Sequence, residues 1–67
     1  MYTFKVRKNG KEVPTIHTKE ADDKVIAYEV WEKMQIHYEK RWGQFGYSYE
    51  ISMLEDGKEI HNVDYES

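Results

Sequence analysis

The stretch from Thr18 to Trp42 contains no proline and no glycine. It constrains the fold more than any other part of the chain. A run this long exceeds an ordinary strand, and its apolar residues recur at helical spacing. At about 100° per residue, Ile26, Ala27, Val30, Trp31, Met34, His37, Tyr38 and Trp42 fall on one side of a helical wheel. That is a wide apolar face with two indoles, suited to covering a sheet. Thr18 is the expected N-cap, its hydroxyl accepting from a first-turn N–H. Position 21 is Ala, so a full capping box is absent. Glu20, Asp22 and Asp23 lie near the positive end of the helix dipole, and Lys40 and Arg41 near the negative end. Gly43 follows Trp42 and is expected to take the left-handed conformation that ends a helix.

A strand pair is expected on each side of this helix. Residues 2–8 alternate Tyr2, Phe4 and Val6 with Thr3, Lys5 and Arg7, the pattern of a half-buried strand. Asn9-Gly10 is the strongest short signal for a hairpin, because both residues tolerate positive φ. The return strand is placed over 11–17. A two-residue turn puts Val13, Thr15 and His17 on the face of Phe4. A three-residue loop with Gly10 in a bulge puts Pro14 and Ile16 there instead, and is preferred because it buries Ile16. Pro14 lacks a donor and belongs on an edge strand in either register.

After Gln44-Phe45-Gly46, residues 47–54 set Tyr47, Tyr49, Ile51 and Met53 on one face and Ser48, Glu50 and Ser52 on the other. Glu55-Asp56-Gly57 is the next turn, and Lys58–Tyr65 returns. A two-residue loop at Asp56-Gly57 sends Val63 to the serine face. A type I turn with Gly57 in a left-handed bulge pairs His61, Val63 and Tyr65 with Ile51, Tyr49 and Tyr47. The second gives the better apolar face and is expected. Glu66-Ser67 is expected to fray.

The fold class is therefore α+β. The order is ββαββ, a four-stranded sheet with one long helix packed on one face. This order, opening on strand, Asn9-Gly10 turn, strand, resembles the β-grasp arrangement of streptococcal immunoglobulin-binding domains. The resemblance implies a β-grasp-like order, with the first and last strands paired in parallel at the centre. The alternative sets the two hairpins side by side in a fully antiparallel sheet. The resemblance extends to topology and to no side-chain motif, and a fold by itself implies no function.

Sixty-seven residues make one small globular domain, 1–67. A chain this short buries only about 60% of the surface it exposes when unfolded. Two Trp, six Tyr and two Phe supply much of the area such a core needs. There is no cysteine, which excludes disulfides and thiolate metal sites and fits a reducing, cytoplasmic location. There is no apolar run long enough to span a bilayer, so no membrane partner is expected. The opening Met1–Val6 alternates like a strand and lacks a signal-peptide core. A net charge of −3 argues against a non-specific polyanion binder.

Catalytic chemistry finds few footholds. His17, His37 and His61 are scattered over strand, helix and strand, without metal-ligand spacing. His37 at the margin of the apolar helix face reads as a hydrogen-bonded imidazole. Ser48 and Ser52 sit in a strand and not on a nucleophile elbow. Gly43 and Gly46 read as helix end and turn, with no Lys-Ser/Thr of a phosphate loop behind them. Glu29 with Glu32, and Asp22 with Asp23, are carboxylate pairs, but acid–base work needs a pocket that shifts their pKa values. Neither an enzyme nor a cofactor is expected.

Two surfaces remain. The helix face opposite the core carries Val25, Tyr28, Glu29, Glu32, Ile36 and Glu39. Val25 and Ile36 are three turns apart and nearly eclipsed, with acids around them. Scattered exposed apolar residues are ordinary, but an apolar seam with an acidic rim is also the anatomy of a protein-binding helix. The sheet face away from the helix carries Thr3, Lys5, Arg7, Ser48, Glu50 and Ser52. Lys5, Arg7, Lys8 and Lys11 form the one basic patch, whose plain reading is solubilising charge on a hairpin tip. The leading expectation is a non-enzymatic protein-interaction module, an inhibitor or accessory factor of the type carried by phages and mobile elements. Its partner is a larger protein with a basic surface. The alternative is nucleic-acid binding through Lys5, Arg7, Lys8 and Lys11 with Tyr47 and Tyr49. The strand register points those tyrosines inward, which counts against it. A homo-oligomer through a sheet edge is the third reading.

Overall fold

The computed structural model describes residues 1–15 and 19–66. Its elements in chain order are β1 (Tyr2–Lys8), β2 (Lys11–Val13), β3 (Glu20–Ala21), α1 (Lys24–Phe45), β4 (Tyr49–Glu55) and β5 (Lys58–Tyr65). The chain is an α+β fold: an antiparallel sheet of five strands with one long helix across one face.

The strands run β2-β1-β4-β5, and β3 pairs the start of β1 on the same edge as β2. The hairpins stand side by side, fully antiparallel, so the parallel pairing of first and last strands implied by the β-grasp resemblance does not occur. Burial gives the reason. In β4, three consecutive residues, Ile51, Ser52 and Met53, are buried, whereas no residue of β5 is. A strand with this much buried surface gains most between two neighbours, beside the buried Tyr2, Phe4 and Val6 of β1. The two pair in register from Tyr2 opposite Glu55 to Lys8 opposite Tyr49.

Both hairpins close on two-residue turns. Asn9 and Gly10 have φ of 52° and 85°, and Lys8 faces Lys11. This is the type I′ geometry, whose twist matches that of the strands. The three-residue loop expected from the sequence is not formed. Val13, opposite Val6, shares the face of Phe4, and Pro14 is exposed beyond the end of β2. The expected burial of Ile16 falls outside the described residues, as do His17, Thr18 and Ser67. Asp56 and Gly57 have φ of 50° and 82°, with Glu55 opposite Lys58. Here too the tighter turn wins, yet Val63 stays on the helix face. The extra residue is inserted downstream: Leu54 faces Glu59, Met53 faces His61, and Ile60 is the bulge between them. Odd residues therefore pair with odd, as expected, but two positions along from the expected register. Val63 meets Ile51 and Tyr65 meets Tyr49.

The helix is displaced towards the C-terminus relative to the sequence reading. Glu20 and Ala21 pair with Thr3 and Tyr2, which takes them out of the helix. The cap is Asp23, whose carboxylate accepts from Val25 N–H at 2.7 Å and Ile26 N–H at 3.4 Å. Gly43 lies inside the helix. The left-handed residue is Gly46, at φ 71°, its N–H donating to the Trp42 carbonyl at 2.9 Å. Ala27, Trp31, Met34 and Tyr38 are buried on the sheet, and Val30 and Trp42 are half-buried. Ile26, assigned to this face, is 51% exposed at its margin. Trp31 stacks on His61, with centroids 5.8 Å apart, and Tyr38 leans on Tyr49 at 5.0 Å. Tyr65 donates its hydroxyl to the Gln35 carbonyl at 3.2 Å, and the Trp42 indole N–H donates to the Glu66 carbonyl at 2.7 Å. Glu66, expected to fray, is thereby tied to the helix.

Candidate protein-binding surface

α1 spans the sheet with one face and leaves the opposite one bare. Val25 is 68% exposed and Ile36 61% exposed. Eleven positions separate them, about three turns and about 16 Å along the axis. Glu29, Glu32 and Glu39 are exposed on the same side. Glu29, Glu32, Lys33 and Ile36 line a shallow depression. Five of the six residues assigned to this seam are thus brought together. Tyr28 is the exception. Its hydroxyl lies 2.8 Å from Nε2 of His61, with the two rings edge to face. That contact holds Tyr28 on the flank over β5 instead of at the outer pole.

The sheet face away from the helix has a different character. Lys5 lies opposite Ser52, and Arg7 opposite Glu50, with 3.8 Å between guanidinium and carboxylate. Asn62 donates to Glu50 at 2.9 Å, to Ser52 at 3.0 Å and to Glu59 at 3.3 Å. Ser52 is only 8% exposed, its hydroxyl satisfied by that amide. Charge and hydrogen bonds are largely matched within this face, so it presents little unsatisfied potential to a partner.

The basic patch is divided. Lys5 and Arg7 share the open face of the sheet. Lys8 faces Tyr49 in the ladder and Lys11 faces Lys8, which places both on the helix side. Lys8 Nζ sits 4.0 Å from the centre of the Tyr47 ring. Tyr49 is buried, as its strand register implies, while Tyr47, expected on the same inward face, is 37% exposed; the two do not form the base-stacking pair of the nucleic-acid alternative. Tyr47 instead stacks on Phe45, with centroids 5.7 Å apart, and the Arg41 guanidinium lies 5.9 Å from the Phe45 ring. This aromatic and cationic end of the molecule went unread in the sequence. Its signal was two aromatics flanking Gly46, the residue that ends the helix.

The two described histidines, His37 and His61, have separate partners. His61 is engaged by Tyr28 and Trp31, and His37 accepts from Arg41 Nε at 3.1 Å. Among the described residues there is no group of three or more His, Asp or Glu placed to hold a metal. Among the described residues no helix is long and apolar enough to cross a membrane. Two tyrosines have raised pKa values. Tyr2 is pushed up to about 12, first by its hydrogen bond to Glu55 and then by burial. Tyr65 is raised by burial and by the charge of Glu39. Both tyrosines bind their own fold, so these shifts belong to the scaffold. Comparison with protein families, with curated proteins and with solved structures gives no match.

Proposed function

We propose that this chain is a non-enzymatic protein-binding module that presents the outer face of α1 to a larger protein with a basic surface. The observation that carries the reading is the pairing of Val25 and Ile36, each more than half exposed, on a face that no other element among the described residues covers. A helix needs no apolar residue there for folding, and water contact makes one unfavourable. Glu29, Glu32 and Glu39 supply the rim charge that steers a cationic partner and speeds its association. A module of this size acts by occupying a surface of its partner, as an inhibitor or accessory factor of the kind phages carry.

The test uses two double variants and nuclease-treated lysate of the source cell. Val25→Lys with Ile36→Lys should fold as wild type and lose the retained partner by at least about tenfold in affinity. Lys5→Glu with Arg7→Glu should keep it. Tighter capture by the first variant, loss by the second and sensitivity to nuclease would together favour nucleic acid instead.

A further inference from the structure

Among the apolar residues that pack on the core without full burial, most lie at or against one sheet edge. Six apolar residues pack on the core while remaining partly exposed: Val13, Val30, Trp42, Ile60, Val63 and Tyr65. Three of them belong to β5, and Trp42 lies against Tyr65 with ring centres 5.8 Å apart. β5 is also the longest strand, and among the described residues nothing pairs with its outer side. The other edge is built differently. It is broken into β2 of three residues and β3 of two, and Pro14 follows β2. Short strands and proline protect that edge against pairing; β5 has neither, and its bulge at Ile60 and its charges at Lys58 and Glu59 guard only its first half.

We propose that β5 pairs antiparallel with β5 of a second copy, about a two-fold axis at Val63, to form one continuous sheet. The bulge at Ile60 restricts regular pairing to His61–Tyr65. A two-fold perpendicular to the sheet keeps each face continuous, so residues of the same face meet across it. An axis at Asp64 sets that carboxylate against its own copy, which is unfavourable. An axis at Asn62 drives the bulged Ile60, on the helix side, against Asp64 of the open face. An axis at Val63 sets Val63 against itself, His61 against Tyr65, and Asn62 against Asp64. The first two pairs lie on the helix side and cover partly exposed apolar surface. The third sets the uncharged Asn62, whose amide is already bonded to Glu50, Ser52 and Glu59, beside Asp64, so that no carboxylate faces another within the paired stretch. Symmetry makes the His–Tyr and Asn–Asp pairs twice each. The charge pattern within His61–Tyr65 thus selects one register and one occupant, a second copy of this chain. The surface is separate from the outer face of α1, so the dimer leaves that face free.

Sedimentation equilibrium of the wild-type chain over a wide concentration range tests the association. The mass should rise from 8.1 kDa towards twice that value. The chain has no cysteine, so one introduced thiol can form only an intermolecular disulfide. Val63→Cys places two thiols opposite each other on the axis, within reach of a disulfide. It should cross-link under mild oxidation at least about tenfold faster than Val13→Cys, a half-buried valine at the other edge. A mass of 8.1 kDa at every concentration would overturn the proposal and leave β5 to an extended segment of some other protein. Equal cross-linking of the two variants would overturn the register even if the mass doubled. The wild-type measurement stands if either cysteine variant fails to fold.

Discussion

Replacing Trp31 with alanine should remove most of the stability of this domain. The indole is 6% exposed, lies between α1 and the sheet, and stacks on His61 at an interplanar angle of 27°. An aromatic side chain buries about 150–250 Å², which at about 25 cal/mol per Å² is about 4–6 kcal/mol as an upper bound. Measured aromatic-to-alanine losses in cores run about 3–5 kcal/mol. A chain of this length has about 3–10 kcal/mol in all. The variant should therefore be marginal or unfolded at room temperature. Urea denaturation followed by far-UV circular dichroism measures this, and Trp42 remains as a fluorescent reporter. Ile26→Ala is the matched control: the sequence pattern places Ile26 on the same face, the structure leaves it half exposed, and it should cost no more than about 1 kcal/mol. The helix rotation described above would be refuted if Trp31→Ala lost less than about 1 kcal/mol, or if Ile26→Ala lost as much as Trp31→Ala.

Three further outcomes follow from local geometry. Gly57→Val should cost more than about 1 kcal/mol by thermal or urea unfolding, because a β-branched residue is strained at its φ of 82°; a neutral effect would mean the turn is not type I′. Asp23→Ala should cost about 1 kcal/mol, since it removes the acceptor for two first-turn N–H groups, and an unchanged midpoint would place the helix start elsewhere. The fold holds Tyr2 in its neutral form, with a pKa near 12 against about 10 unfolded. That contribution is complete below about pH 10 and is lost as the pH rises from 10 to 12. Tyr2→Phe should flatten the alkaline loss of stability over that window and remove a phenolate ionisation near pH 12 from an absorbance titration. Loss instead of a phenolate ionising at about pH 10 would show that the bond to Glu55 is not made.

The class of the fold and its core were legible from periodicity, because helical and strand patterns survive errors of a few residues. Trp31, Met34 and Tyr38 were placed correctly by spacing alone. The boundaries were not. Nothing in Glu20-Ala21 announces a strand, and only the free edge of β1 makes pairing there worth more than another helical turn. Gly43 and Gly46 were both credible helix ends. Gly43 is carried inside at a cost of about 1 kcal/mol, while Phe45 and Tyr47 stack across Gly46. At the hairpins, local turn chemistry proved stronger than the wish to bury one more side chain. Asn-Gly and Asp-Gly each formed the two-residue turn, and β5 recovered its face through a bulge at Ile60 that no turn signal marks. Strand order could have been approached through β4, whose Ile51-Ser52-Met53 core lacks any charge, as suits a central strand.

The seam on α1 was readable as a departure from the polar pattern of an outer face. Its membership was not, because the bond between Tyr28 and His61 links residues 33 positions apart. The division of the basic patch had a plainer origin. Lys5 and Arg7 differ in parity from Lys8, so a strand must send them to opposite faces. The aromatic and cationic end around Phe45 required a helix that ends three residues later than the sequence pattern suggested.

Photo-cross-linking from the outer face of α1 addresses the functional reading most directly. A photoreactive side chain in place of Ile36 should cross-link to the same cellular protein that the wild-type chain retains. The same group in place of Arg7, on the open sheet face, should give no such adduct. Cross-linking from position 7 with none from position 36 would contradict the assignment of the helix as the binding surface.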